Sequence, residues 1–288
     1  MERLLIVGCG DIARRALPRL KARYAVTALV RDPDDAAALR ARGIDTFVAD
    51  LDRPATLSQL AGPVHHLLHL APPDDGGDED RRTRGLVAVL TAKGMLPRRV
   101  VYISTSGVYG DCGGARVDET RAPNPQSARA RRRLDAERVL RAWQPGTVIL
   151  RVPGIYAADR LPLARLRQGI PVLREEDDVY TNHIHAEDLA AALLAALERA
   201  PEGGLYNVSD DTEMKMGEWF DFVADRHGLP RPPRVSRAEA ADVIPPALLS
   251  FMSESRRLSN ARLKRELGFR LRYPTVREGV PVAIEGTR

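Results

Sequence analysis

The chain has 288 residues, 44% of them hydrophobic, and a formal net charge of +5 at pH 7. This length suits one α/β unit with a smaller appended lobe, and no apolar run approaches the roughly 18 residues of a membrane span. Because the arginines are spread among acidic residues along the chain, the charge favours neither nucleic acid nor a membrane as a partner.

The two cysteines, Cys9 and Cys112, are too few for a disulfide framework and have no metal-ligand spacing. We therefore predict no bound metal. The first strand-like run begins at Leu4, which leaves no room for a signal peptide, so we expect a cytoplasmic protein.

The first half of the chain alternates short aliphatic runs with helical patterns at the spacing of βαβ units. The predicted helices begin near residues 11, 35, 55, 81 and 127, and a further helix covers 186–200. The predicted strands are 4–7, 25–30, 46–49, 65–70, 100–104 and 147–152. This order predicts an α/β fold with a doubly wound parallel Rossmann sheet and a smaller C-terminal α/β substrate lobe.

The domain boundary is expected where the regular alternation ends. We predict a dinucleotide-binding domain over residues 1–155 and a smaller substrate-binding lobe over 156–288. Residues 182–208 are expected to return to the first domain as another helix and strand.

A glycine motif connects the first predicted strand to the first predicted helix. Gly8 permits the tight turn, Gly10 lets the backbone approach a pyrophosphate, and Ala13 allows close packing of helix and strand. The helix N-terminus presents free N–H groups to the anion. The GxGxxA residues are Gly8, Cys9, Gly10, Asp11, Ile12 and Ala13. This context predicts a nicotinamide dinucleotide site.

The end of the second strand bears on the choice of cofactor. Arg31 stands there, where a carboxylate would accept hydrogen bonds from the ribose hydroxyls of NAD. A guanidinium pairs with a 2′-phosphate, which favours NADP. NAD stays an alternative if Arg31 faces solvent and Asp32 binds the ribose.

Several later segments resemble the extended short-chain dehydrogenase/reductase superfamily, which includes nucleotide-sugar epimerases and dehydratases. Asp50 and Leu51 are similar to its adenine-contacting pair, and Leu70 and Ala71 to its fourth-strand end beside the cofactor. The sequence VYISTSGVYG at 101–110 is the most specific match. The resemblance implies cofactor contacts at these positions.

The resemblance also suggests catalytic and substrate positions. Thr105 occupies the position of the superfamily's catalytic Ser or Thr, with Ser106 as its near alternative. Tyr109 and Tyr156 lie in matched segments at strand ends and are candidate substrate contacts, although aromatic residues there more often pack.

The sequence departs from the superfamily where its catalytic tyrosine and lysine stand four residues apart on one helix. Aligning PQSARARRRLDAE at 125–137 puts Arg129 at the tyrosine position and Arg133 at the lysine position. A guanidinium cannot exchange a proton usefully at neutral pH, so the superfamily's acid/base chemistry does not carry over. This departure indicates an atypical branch.

Two interpretations of the arginine pair stay open. Arg129 and Arg133 lie one helical turn apart and would form an anion-binding pair if that face meets the cleft. They would otherwise belong to a solvated face. Nucleic-acid binding is disfavoured because no aromatic residues are interleaved with the arginines.

These features predict an NADP-dependent oxidoreductase or epimerase-like enzyme with a non-standard acid/base group. Its partner would be a small-molecule substrate, polar or nucleotide-sugar-like, with an anionic group as one option. The alternative is a catalytically silent NADP-binding sensor or scaffold module, which the missing tyrosine and lysine favour. The retained STS strand and the substrate lobe favour an enzyme.

Overall fold

The computed structural model describes residues 1–282. Among these, the strands are β1 (Arg3–Val7), β2 (Ala25–Val30), β3 (Asp45–Val48), β4 (His66–His69), β5 (Arg99–Thr105), β6 (Arg116–Val117), β7 (Val148–Val152), β8 (Gly154–Tyr156), β9 (Val172–Leu173), β10 (Tyr180–Thr181), β11 (His183–His185), β12 (Leu205–Asn207), β13 (Met214–Lys215), β14 (Arg234–Val235) and β15 (Arg257–Leu258). The helices are α1 (Asp11–Leu20), α2 (Pro33–Arg40), α3 (Arg81–Ala92), α4 (Ala128–Trp143), α5 (Leu163–Arg167), α6 (Ala186–Arg199), α7 (Met216–Arg226), α8 (Arg237–Val243), α9 (Pro246–Leu249), α10 (Ala261–Leu267) and α11 (Val276–Gly279).

A seven-stranded sheet in the order β3-β2-β1-β4-β5-β7-β12 forms the centre of the molecule. Every neighbouring pair in it is parallel. The strand order changes direction between β1 and β4, which opens a crevice at the carboxyl ends of these strands. The predicted doubly wound Rossmann fold is confirmed.

Both faces of the sheet are covered by helices, as a parallel sheet requires. In β1, Leu4 and Ile6 belong to the apolar cluster that includes α1 and α6. Leu5 and Val7 belong to the opposite cluster, which includes α3 and α4. The alternation of side chains along the strand therefore supplies both cores.

A third apolar cluster lies in the smaller lobe after β7, with Trp219 and Phe220 of α7 among its buried residues. The two-stranded pairs β10-β13 and β14-β9 belong to this part of the chain. In contrast, β12 pairs with β7 in the main sheet, and α6 packs against α1. Residues 283–288, the end of the lobe expected over 156–288, lie outside the described residues.

Two helices differ from the sequence expectation. Helix α2 begins at Pro33 rather than near residue 35, because the Asp32 side chain caps it and a proline suits the first helical position. The segment Pro54–Gln59 is a 3₁₀ helix, and Gly62 and Pro63 follow it closely. Within residues 1–282, no helix is long and apolar enough to span a membrane.

Candidate active site

A first cavity of about 350 Å³ lies at the carboxyl ends of β1, β2 and β4. Its lining residues are Gly8, Cys9, Gly10, Arg14, Leu29, Val30, Arg31, Asp35, Ala49, Asp50, Leu51, Leu70, Ala71, Pro72 and Arg82. Eight of the predicted cofactor residues are in this set: Gly8, Cys9, Gly10, Arg31, Asp50, Leu51, Leu70 and Ala71. We refer to it as the cofactor cavity.

Gly8 and Gly10 have different physical roles in this cavity. Gly8 has φ +90°, and a Cβ there would lie 2.5 Å from the backbone nitrogen of Ala71. Gly10 has φ −80°, and a Cβ there would meet no heavy atom within 4 Å. The space in front of Gly10, beside the N-terminus of α1, fits the pyrophosphate of a dinucleotide.

The end of β2 carries an exposed guanidinium without a protein partner. Within the described residues, Arg31 forms neither a hydrogen bond nor an ion pair. Asp32 is engaged elsewhere, because its Oδ1 accepts a hydrogen bond from the backbone N–H of Asp34 at 2.8 Å. Nearby, Arg14 pairs with Asp35 at 2.6 Å. Arg31 is therefore the arginine at this end of the cavity that is free to bind an anion.

The side chains of three residues in the glycine loop, Cys9, Asp11 and Ile12, are buried, paired or directed away from the cofactor cavity. The Cys9 side chain is buried, which raises the pKa of its thiol to about 11. The Asp11 carboxylate pairs with Arg15 at 2.9 Å and with Arg160 at 3.0 Å. Asp11 and Ile12 lie in the first turn of α1 and do not line the cofactor cavity, so their contact with a cofactor stays a prediction.

A second cavity of about 270 Å³ lies beyond the carboxyl ends of β5 and β7. Its lining residues are Thr105, Ser106, Gly107, Arg129, Pro153, Gly154, Tyr180, Thr181, Asn182, Met216, Phe251, Glu254 and Arg256. We refer to it as the substrate cavity. It brings together the main sheet, α4 and the smaller lobe.

Thr105 and Ser106 both reach the substrate cavity. The Thr105 hydroxyl oxygen accepts a hydrogen bond from the backbone N–H of Gly107 at 3.2 Å and caps the 3₁₀ turn Ser106–Tyr109. Because this bond uses only a lone pair, the Thr105 O–H stays free to donate to a bound molecule.

Arg133 forms hydrogen bonds with residues at or near the ends of two neighbouring strands. Its Nη1 donates to the carbonyl oxygen of Ile103 at 2.7 Å, to the Tyr102 hydroxyl at 3.2 Å, and to the carbonyl oxygen of Ala71 at 3.5 Å. Ala71 lines the cofactor cavity, and Ile103 is two residues before Thr105. The guanidinium therefore links the ends of β4 and β5.

Arg129 faces the substrate cavity, one helical turn before Arg133. Its guanidinium stacks on the Phe251 ring, 4.2 Å from the centroid. Within the described residues, Arg129 forms no ion pair. The two arginines thus share a helix face but have separate contacts, and Arg133 lines neither cavity.

The structure places Tyr109 and Tyr156 outside the substrate cavity. Tyr109 is 1% exposed, and its hydroxyl donates to Asn207 Oδ1 at 2.9 Å. Tyr156 is 2% exposed, and its hydroxyl donates to the carbonyl oxygen of Thr275 at 3.3 Å. Both side chains are buried core residues in this structure and do not line the cavity where substrate contacts were expected.

Several residues that line the cavities were not predicted from the sequence. Arg256 is the first residue of RRLSNARLKRELGF at 256–269, and the similarity of this segment to the superfamily's C-terminal helices was the available signal. Phe251 and Glu254 precede it in a segment without a motif. Arg82 reaches the cofactor cavity from α3, where Asp52 binds it bidentately at 2.6 and 2.7 Å. Residues 1–282 contain no cluster of three or more potential metal ligands.

Comparison with known proteins identifies the fold's family. A family model described as NAD(P)H-binding matches residues 8–200, more than half of the chain. The chain belongs to this NAD(P)H-binding family. The match begins at Gly8 and includes the whole of β2, β4 and β5.

Three proteins show what nearly the whole chain is similar to. A conserved protein of unknown function from Silicibacter pomeroyi DSS is 34% identical, with a TM-score of 0.80 over 97% of this chain and 96% of that one. The 3-diazoavenalumate denitrifying reductase of a Streptomyces species is 29% identical over 96% of this chain and 99% of its own. A short-chain dehydrogenase/reductase superfamily protein from Agrobacterium tumefaciens with bound NAD is 19% identical, with a TM-score of 0.71 over 94% and 93%. The likeness to this last structure shows the shared fold, in agreement with the resemblance of the sequence, whereas the atypical branch stays a prediction.

Proposed function

We propose that this protein is an NADP(H)-dependent reductase that acts on a small anionic substrate without the superfamily's tyrosine and lysine. The observation that carries the proposal is the position of Arg133. It contacts Ala71 of the cofactor cavity and Ile103 on the strand that leads to Thr105 in the substrate cavity. Two cavities at the carboxyl ends of one parallel sheet suit a cofactor and a second ligand.

The state of Arg31 and Asp32 supports NADP as the preferred cofactor. Arg31 lines the cofactor cavity and has no ion pair in the part of the chain that the structure describes, so its charge is free for a 2′-phosphate. Asp32 caps α2, which occupies the carboxylate that would otherwise serve the ribose of NAD.

Hydride transfer requires little acid/base chemistry from the protein. When bound, the nicotinamide supplies the hydride. Thr105 can donate a hydrogen bond to the oxygen of a carbonyl group, which becomes negative as its carbon accepts hydride. Arg129 can stabilise negative charge in the same cavity but cannot supply the proton, which we assign to solvent. The products are then the alcohol and NADP⁺.

The name of the Streptomyces relative, a denitrifying reductase, supports reduction as the reaction class. The superfamily's tyrosine would remove a hydroxyl proton from a sugar as hydride leaves. Because Arg129 stands at that position, we expect no interconversion of UDP-sugars or GDP-sugars at neutral pH.

The test is NADPH oxidation by the purified protein with a panel of small carbonyl compounds, alongside epimerisation assays. We expect turnover of at least one carbonyl acid, and a loss of about 10²-fold in kcat in Thr105→Val with unchanged affinity for NADPH. Thr91→Val, at an exposed position of α3, is the matched control.

Robust epimerisation of a sugar nucleotide would contradict the proposal. Tight NADPH binding without turnover of any acceptor would instead support the sensor module that the missing tyrosine and lysine favour.

A further inference from the structure

The substrate cavity carries an uncompensated positive charge. Its charged lining consists of Arg129, Arg256 and Glu254. Arg256 donates from Nη1 to Glu254 at 2.8 Å and to the carbonyl oxygen of Gly110 at 2.7 Å. Glu254 is therefore paired with Arg256, and no carboxylate of residues 1–282 pairs with Arg129.

Arg256 also has an unused donor. Its side chain is only 11% exposed, and its Nε is buried without a hydrogen-bond partner among the described residues. An unsatisfied buried donor costs about 1–3 kcal/mol, more when it is charged. The Nε itself does not face the cavity, so the donor left for a ligand oxygen is Nη2, which forms no hydrogen bond among the described residues.

The surroundings of Arg129 favour the same kind of ligand. Burial lowers the pKa of Arg129; Glu254 acts against this shift, while the nearby guanidinium groups of Arg133, Arg132 and Arg256 add to it. An anion placed between Arg129 and Arg256 would relieve this repulsion.

Aromatic side chains form part of the cavity wall. Phe251 is 47% exposed and carries the Arg129 guanidinium on its ring. Tyr180 also lines the cavity, and Arg257 lies 4.9 Å from its ring centroid. Met216 adds a flexible apolar contact. Such a wall suits a flat, apolar ligand body.

The size of the cavity limits that body. Its volume of about 270 Å³ is at or below the lower end of ordinary ligand sites. We infer that the substrate is a one-ring aromatic carboxylate, with its carboxylate between Arg129 and Arg256 and its ring against Phe251 and Tyr180. This inference rests on the proposed reductase function.

The test is calorimetric titration of the NADP⁺-saturated protein. The probes are benzoate, cinnamate and 4-carboxybenzaldehyde, each with its methyl ester, together with acetate and UDP-glucose. At least one aromatic carboxylate should bind roughly ten- to a hundredfold more tightly than its ester, because a charged hydrogen bond is lost in the ester. It should also bind more tightly than acetate, which has no ring. Tighter binding of UDP-glucose, or equal binding of acids and esters, would overturn the inference.

Variants separate the site from general charge effects. Arg129→Gln should weaken carboxylate binding by roughly tenfold or more and leave NADP⁺ binding unchanged. Among residues 1–282, Arg129 has no polar bond whose loss would unfold the protein. Arg131→Gln is the matched control, because Arg131 is on the same helix but pairs with Asp78 at 2.8 Å. Equal losses in the two variants would overturn the assignment.

The two proposals fail differently. If NADP⁺ does not bind to the wild-type protein, the proposed function itself fails. If NADP⁺ binds and carbonyl compounds are reduced, but no aromatic carboxylate is preferred, only the substrate class is wrong.

Discussion

The carboxylate of Asp32 accepts a hydrogen bond from the backbone N–H of Asp34 at 2.8 Å and so caps α2. This bond gives different roles to the neighbours Arg31 and Asp32, which are both candidates for binding the ribose end of the cofactor. Asp32 is fixed at the helix terminus, whereas Arg31 is exposed at the cofactor cavity. The consequence is a testable cofactor preference.

We expect NADPH to bind more tightly than NADH, and Arg31→Ala to lose roughly ten- to a hundredfold in NADPH affinity with little change for NADH. Calorimetric titration measures both. Arg19→Ala, at an exposed position of α1, is the control, and Asp32→Asn should leave NADH affinity unchanged. Equal NADPH and NADH affinities in the wild type would refute the assignment.

Substitution of the two loop glycines should affect different properties: cofactor binding for Gly10 and folding stability for Gly8. Gly10→Val should fold normally, since nothing lies within 4 Å of its Cβ position, but should abolish binding of both cofactors by filling the pyrophosphate space. Gly8→Ala should lower the free energy of unfolding by about 1–3 kcal/mol or more, because φ is +90° and the new Cβ would clash with the backbone of Ala71. Thermal unfolding and titration distinguish the two. Retained cofactor binding in folded Gly10→Val would show that the loop is misassigned.

A buried ion pair connects α4 to the central sheet. Glu137 accepts hydrogen bonds from Arg151 at 3.1 and 2.8 Å and from the Ser104 hydroxyl at 2.5 Å. Glu137→Ala should lower the free energy of unfolding by about 3–5 kcal/mol, because it leaves the Arg151 charge buried and unpaired. Urea denaturation measures this change.

The double variant Glu137→Leu with Arg151→Leu should cost less than the sum of the two single variants, because it removes both charges. Asp225→Ala, which breaks an exposed pair with Arg231, should leave stability nearly unchanged. Additive effects in the double variant would show that the buried pair is not coupled.

Asp210 should make stability depend on pH. Burial, with the neighbouring Asp211, raises the pKa of Asp210 to about 7. Because this folded-state pKa is above the unfolded value near 4, the folded state holds the proton more tightly. The stability from this group is present below about pH 4 and is lost as the pH rises through about 7.

Asp210→Asn removes this titration. The free energy of unfolding of the variant minus that of the wild type should rise by on the order of 3 kcal/mol from pH 4 to pH 8. Urea denaturation at each pH measures this difference. Acidic protonation of other groups, such as the buried His183, is common to both proteins and cancels in the difference. Asp242→Asn, at an exposed position, should show no such gain. A difference that is flat with pH would contradict the raised pKa.

The sequence by itself determined the fold and most of the cofactor side. The glycine loop, Arg31, Asp50 and Ala71 follow strands whose alternation is readable locally, and parallel strands bring their carboxyl ends to one edge. These residues could therefore be placed together without coordinates. Pro33, directly after Asp32, is a local signal for the start of α2, although that start was predicted two residues too late.

The substrate side depends on tertiary structure. Thr105, Arg129 and Arg256 come from three distant segments, and their meeting depends on how the smaller lobe packs against α4. Local pattern also cannot tell a strand-end tyrosine that faces a ligand from one that packs inward. Tyr109 and Tyr156 both pack inward, because Asn207 and the Thr275 carbonyl satisfy their hydroxyls inside the core.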